Sequence, residues 1–125
     1  MRTPLKYFLM LALTILVIVM GNEARAGGTT NTWDGSVSTD WHTAANWSTN
    51  SVPVSGTHNV VIPAGLSNYP VLSADGSCRT LASLANGTSI SGTGTLTIGT
   101  AGTVTTTGTA SISCPLTFNV ATSFT

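Results

Sequence analysis

Trp33, Trp41 and Trp47 fall within fifteen residues, in "TWDGSVSTDWHTAANWS", and the rest of the chain contains no other tryptophan. The same stretch holds Asp34, Asp40 and His42. Indole faces can stack on the C–H faces of sugar rings, with neighbouring polar groups taking the hydroxyls. Trp33, Asp40, Trp41, His42 and Trp47 are therefore the candidate saccharide platform, centred on Trp41 between Asp40 and His42. The competing reading is structural, because indoles also close the edge of a small core with their N–H groups bonded. The structural reading is preferred.

Other chemistries have fewer residues to draw on. From Ser77 to Thr125 there is no Asp, Glu, Lys or His, and the sole charge is Arg79. Glycoside hydrolysis generally needs a carboxylate pair, which this region does not supply. A triad built on His42 or His58 lacks a GxSxG nucleophile turn, and His58 reads as the residue at the start of a strand. No catalytic residue and no cofactor is expected. Asp34, Asp40 and Asp75 are too scattered for a calcium loop, and Asp34-Gly35 and Asp75-Gly76 are ordinary turn dipeptides. No metal site is expected either.

Residues 1–26 read as a signal peptide. Arg2 and Lys6 precede an apolar run from Tyr7 to Met20, and Ala24-Arg25-Ala26 offers the small residues that signal peptidase reads. The run is short for a bilayer-spanning helix, which needs about 20 residues. Cleavage before Gly27 leaves a chain with Arg79 against Asp34, Asp40 and Asp75, a net charge of −2 and no lysine. One arginine cannot neutralise many phosphates, so nucleic-acid binding is excluded, as is attraction to anionic lipid. No membrane span is expected after cleavage. Export also permits a disulfide between Cys78 and Cys114; the alternative, preferred here, is a pair of small buried apolar residues.

These residues must be positioned by β-structure. Residues 27–76 form an irregular, Trp-rich N-terminal capping region, and residues 77–125 are repetitive and rich in Gly and Thr. Units beginning at Gly87, Gly94, Gly102 and Gly108 each read Gly-Thr and then alternate, with spacings of seven, eight and six. Such runs bounded by Gly are strand-and-turn signals. Three units, from Gly87 to Gly108, suit one coil of a three-sided parallel β-solenoid. Ile90, Leu96, Ile98, Val104 and Ile112 would face inward; an antiparallel meander is the alternative. On such a coil Cys78 and Cys114 fall on different faces. A solenoid end exposes apolar interior and unpaired edges, so the Trp-rich segment stands where a cap is needed.

The order Trp33-Asp34-Gly35, Asp40-Trp41, Asn46-Trp47, Val52-Pro53, Asn59-Val60-Val61-Ile62-Pro63, Tyr69-Pro70-Val71-Leu72 and Cys78 resembles the N-terminal region of bacterial secreted or outer-surface proteins of the adhesin-like parallel β-helix type. The resemblance runs from Thr32 to about Thr109. It implies a parallel β-helix presented outside the cell as part of a longer chain with an anchoring domain. "CRTLASL" is less regular than the strand usual after that cysteine, and the chain stops at "NVATSFT", in what reads as a strand. The expectation is therefore an incomplete solenoid. Because the resemblance is bacterial, the N-glycosylation patterns at Asn46-Trp47-Ser48 and Asn86-Gly87-Thr88 read as chance.

Together these readings describe an all-β, non-catalytic, structural or adhesin-like protein, secreted or on the outer cell surface. Its partners would be extracellular polysaccharide or a surface protein, and the isolated fragment should associate edge to edge. The alternatives are a small carbohydrate-binding module using the tryptophans, and the opening of a β-helix enzyme acting on polysaccharide.

Overall fold

Strands this short and this rich in Thr and Ser cannot bury a core alone and must stack on neighbours. The computed structural model describes residues 27–99 and 102–119, and the expected leader lies outside them. Among the described residues ten strands form: β1 (Thr29–Thr32), β2 (His58–Ile62), β3 (Val71–Leu72), β4 (Gly76–Cys78), β5 (Thr80–Leu84), β6 (Ser89–Gly92), β7 (Leu96–Ile98), β8 (Val104–Thr106), β9 (Ser111–Ile112) and β10 (Leu116–Phe118). They build three sheets, in the orders β1-β2-β5-β8, β3-β6-β9 and β4-β7-β10. The chain visits the sheets in turn, so β2-β3-β4, β5-β6-β7 and β8-β9-β10 are three successive coils of a solenoid.

Among the described residues every strand pairing is parallel, which excludes the meander. Gly76 pairs with Leu96 and Leu96 with Leu116, the same step along the chain each time. Val60 pairs with Leu81 and Leu81 with Val104, steps only slightly longer. The units beginning at Gly87, Gly94, Gly102 and Gly108 supply β6, β7, β8 and β9 in that order, so three units do make one coil.

Alternation within each strand sends one set of side chains inward. Ile90, Leu96 and Ile98 are fully buried, with Val60, Ile62, Leu72, Cys78, Leu81 and Leu84. Val104 and Ile112 pack against the same core but stay partly exposed, because among the described residues nothing stacks on the third coil. Leu116 and Phe118 are exposed there for the same reason. The irregular "CRTLASL" contains a β-bulge. The pairing shifts between Val60 and Val61, so exposed Ala82 is the extra residue and both Leu81 and Leu84 turn inward.

The solenoid begins before the change of sequence texture. The strands β2, β3 and β4 already form a full coil, so residues 27–57 are the cap and the boundary drawn at Ser77 falls inside the first coil. That coil packs against the cap and carries larger, less uniform side chains, which hides its repeat.

Corner glycines align the coils. Gly65, Gly87 and Gly108 have φ of 79°, 77° and 67° and occupy the same corner of successive coils. At that corner the Asn86 Oδ1 accepts the Thr109 N–H at 2.8 Å and the Thr109 hydroxyl at 3.0 Å, linking one coil to the next. A Cβ on Gly65 would meet open space, whereas one on Gly108 would strike the Asn86 side chain. Gly65→Ala should therefore cost only the left-handed backbone penalty, about 1–2 kcal/mol, and Gly108→Ala about 1 kcal/mol more from the lost hydrogen bonds. Urea titrations of the two variants check this; equal losses would mean that the Asn86 link contributes nothing.

Candidate functional site

The cap follows the path of a coil before leaving it. Thr29 pairs with His58, and Asp40 bridges Val71. Both steps along the chain are longer than one coil, and the surplus folds over the apolar end. A short 3-10 turn at Ala44–Asn46 reverses the chain, and Trp47 forms an antiparallel bridge with Trp33. The Trp47 ring meets Trp33 edge to face at 5.0 Å and Trp41 at 4.8 Å, with interplanar angles of 77° and 76°. That is the preferred aromatic geometry.

All three rings are buried, with relative exposures of 0%, 0% and 2% for Trp33, Trp41 and Trp47. This corrects the saccharide-platform expectation: stacking on a sugar needs an exposed ring face, and none is offered. Trp33 Nε1 donates to the Asn68 carbonyl and Trp47 Nε1 to the Trp41 carbonyl, each at 2.8 Å. Trp41 Nε1 has no partner among the described residues. Two glycines make room for the indoles. A Cβ on Gly35 would fall 2.9 Å from Trp33 Nε1, and one on Gly76 would fall 2.9 Å from Trp41 Nε1. Gly35 also turns with a φ of 58°.

Asn46, which the sequence offered as part of the resemblance and as a chance glycosylation match, holds the cap together. Its buried side chain accepts the Val37 and Ser38 N–H groups and donates to Ser38 Oγ and the Asp40 carbonyl. Buried Asn31 does the same on a smaller scale, donating to the Ser51 carbonyl and accepting the Thr49 N–H.

The polar members of the expected platform sit outside the ring cluster. Asp40 closes a turn: it accepts the His42 N–H at 3.1 Å and the Thr43 hydroxyl at 2.9 Å. The His42 N–H, opposed in part by burial and aided by Thr43, holds its carboxyl below the usual range. His42 Nε2 lies 3.0 Å from the Asp75 carbonyl, which can only accept, so this nitrogen carries the proton. His42 Nδ1 is 3.6 Å from Asp40 Oδ1. The imidazole is thus a tether between the cap and the β3–β4 turn. His58 is buried at the start of β2, its Nδ1 accepting the Val54 N–H.

The three aspartates stay apart. Asp34 accepts the Ser36 N–H, and Asp75 accepts the Thr95 N–H of the next coil. Among the described residues no three of His, Cys, Asp and Glu come together to hold a metal ion. Cys78 on β4 and Cys114 in the β9–β10 corner are buried free thiols. Burial pushes the Cys78 thiol up to about 12; it also raises Cys114, against hydrogen bonds from backbone N–H groups.

A groove of about 370 Å³ opens beside the cap, lined by His42, Val52, Pro53, Asp75, Gly76, Ser77 and Thr97. Of these only His42 was a site candidate in the sequence. The others come from the cap loop and from two coils, and no motif joins them. Its origin is topological: the cap adds β1 to the first sheet and Asp40 to the second, but no strand to the third, whose lower edge is β4.

Residues 32–123 match the family described as Domain of unknown function (DUF8693), and the chain belongs to that family. No curated protein matches the chain. No solved structure matches it.

Gly76→Ala should lower stability by about 1–3 kcal/mol through overpacking against Trp41 and Leu72. The near-ultraviolet circular dichroism of the indole cluster should change with it, and an unchanged spectrum would contradict the fit described. Cys78 gives a pH test. Its folded-state value lies above the ordinary thiol value of 9.0, so the stabilisation is complete below about pH 9 and is lost as pH rises toward 12. Melting temperatures across that window should fall less steeply for Cys78→Ala than for the parent protein.

Proposed function

We propose that this member of the DUF8693 family is an exported, non-catalytic structural element that works by display and contact outside the cell. The observation that carries this reading is a uniform parallel solenoid closed at one end by buried indoles, with outer faces bearing Thr and Ser and almost no charge. A scaffold of that kind presents long, regular surfaces and holds them rigidly. The leader-like residues 1–26 support export. The adhesin-like resemblance of the Trp-containing segment supports the cell surface or the surrounding medium as its location. The buried rings remove the main argument for a Trp-based carbohydrate module. Beyond the leader, charged residues are confined to the cap and the first two coils, which supports the non-catalytic reading. The outer edges of β8, β9 and β10 carry no further strand among the described residues, and they offer contact with other β-edges.

The test is location and processing in the native host. Mass spectrometry of the protein recovered from the medium or shaved from intact cells should give an N-terminus at Gly27, and light scattering of the same material should show association. Retention inside the cell with Met1 intact would overturn export, and a strictly monomeric product would overturn contact through the coil edges.

A further inference from the structure

We propose that the groove beside β4 binds a neutral saccharide, using hydroxyls and an apolar wall in place of tryptophan stacking. The site needs only the fold, so it stands whether or not the protein is displayed at a surface.

The floor comes from the third sheet. Cys78 faces the core from β4, as do Leu96 and Ile98 from β7, so Ser77 and Thr97 between them face outward. These two residues are paired in register, and Thr117 continues the row on β10. Their hydroxyls therefore repeat at the strand spacing of about 4.8 Å, comparable to the length of a pyranose ring. Along β4 the ladder bonds point to β7: Gly76 N–H donates to the Thr95 carbonyl, and the Cys78 carbonyl accepts the Gly99 N–H. In a parallel ladder the residue between them turns its N–H and C=O the other way. Ser77 thus offers its backbone groups, as well as its hydroxyl, toward the side where, among the described residues, no strand pairs with β4.

The walls complete the chemistry. Val52, half-buried, gives an apolar surface on which the C–H face of a sugar can rest, with buried Pro53 behind it. Gly99 lets the same loop lie close, since a Cβ there would strike the Ser55 carbonyl. His42 also lines the groove, a flat ring fixed at Nε2 by the Asp75 carbonyl and flanked at Nδ1 by Asp40. Asp75 uses Oδ1 for the Thr95 N–H, and its second oxygen makes no hydrogen bond among the described residues. That oxygen accepts sugar hydroxyls.

The inventory selects the ligand class. Donors and acceptors of hydroxyl type face an apolar wall, a carboxylate is present, and no Lys or Arg lines the groove. A uronate, sulfate or phosphate would meet like charge with no cation to offset it. A neutral, hydroxyl-rich ring meets only complementary groups. The volume of about 370 Å³ lies within the range of small-ligand sites, room for one or two such rings. The polar groups on β4 and β7 are carried by paired strands, so little ordering accompanies binding.

The experiment titrates the purified protein with cellohexaose, maltohexaose, mannohexaose and chitohexaose, with a galacturonate hexamer as the anionic probe, and follows amide NMR signals. At least one neutral probe should shift Ser77, Thr97 and His42. Thr97→Val keeps the β-branched shape of an outward strand position, and His42→Ala removes one wall; each should weaken binding about tenfold while far-ultraviolet circular dichroism is retained. Silence with every neutral probe, shifts confined to other residues, binding untouched by both variants, or a preference for the galacturonate hexamer would each overturn the site. The readout is independent of cellular location, so its failure leaves the display reading standing.

Discussion

An apolar coil interior cannot end in water, and the covering of the lower end is the constraint on which the rest of this molecule depends. Val, Ile and Leu side chains suffice between coils, where each coil buries the next. At the end there is no neighbour, and the area must be covered by a few residues. Trp33, Trp41 and Trp47 do this by meeting edge to face over the first coil. The polar consequences are met locally. Two indole N–H groups reach carbonyls, and Asn31 and Asn46 bind the backbone that the cap bends out of regular pairing.

The first coil is adapted to the cap, and its corners take up the difference. Its strands β2 and β3 are joined by the long corner 63–70, in which the Asn68 carbonyl accepts the Trp33 indole N–H and the Asn68 side-chain amide donates to the Gly35 carbonyl. The matching corner of the second coil is the shorter segment 85–88, and there the extra length lies instead between β7 and β8. The step from one strand to its partner on the next coil nevertheless stays nearly constant. Backbone hydrogen bonding sets the strand spacing, and the corners absorb what remains.

This division explains what was legible beforehand. The alternation in units such as "GTLTIGT" is local, and it marked both the strands and the inward faces of Ile90, Leu96 and Ile98. The need for a cap was legible from the physics of an open coil end. The exposure of the indoles was not, because it depends on Asn68 and Gly76, which approach Trp33 and Trp41 only in the fold. Gly76 read as half of a turn dipeptide, yet its missing side chain is what lets Trp41 lie against β4. The groove was hidden for a similar reason: His42, Pro53, Ser77 and Thr97 share no spacing, and they meet where the cap adds no strand to the third sheet.

The left-handed glycines at 65, 87 and 108 act as an address repeated once per coil. A single residue inserted within a strand would turn its inward set outward. A whole coil inserted between two such glycines would leave every edge matched and the cap unchanged. Length in this architecture is therefore quantised. Descendants of one ancestral chain can grow or shrink in steps of one coil while keeping the same indole-closed foundation, and the reach of the molecule can evolve separately from its stability.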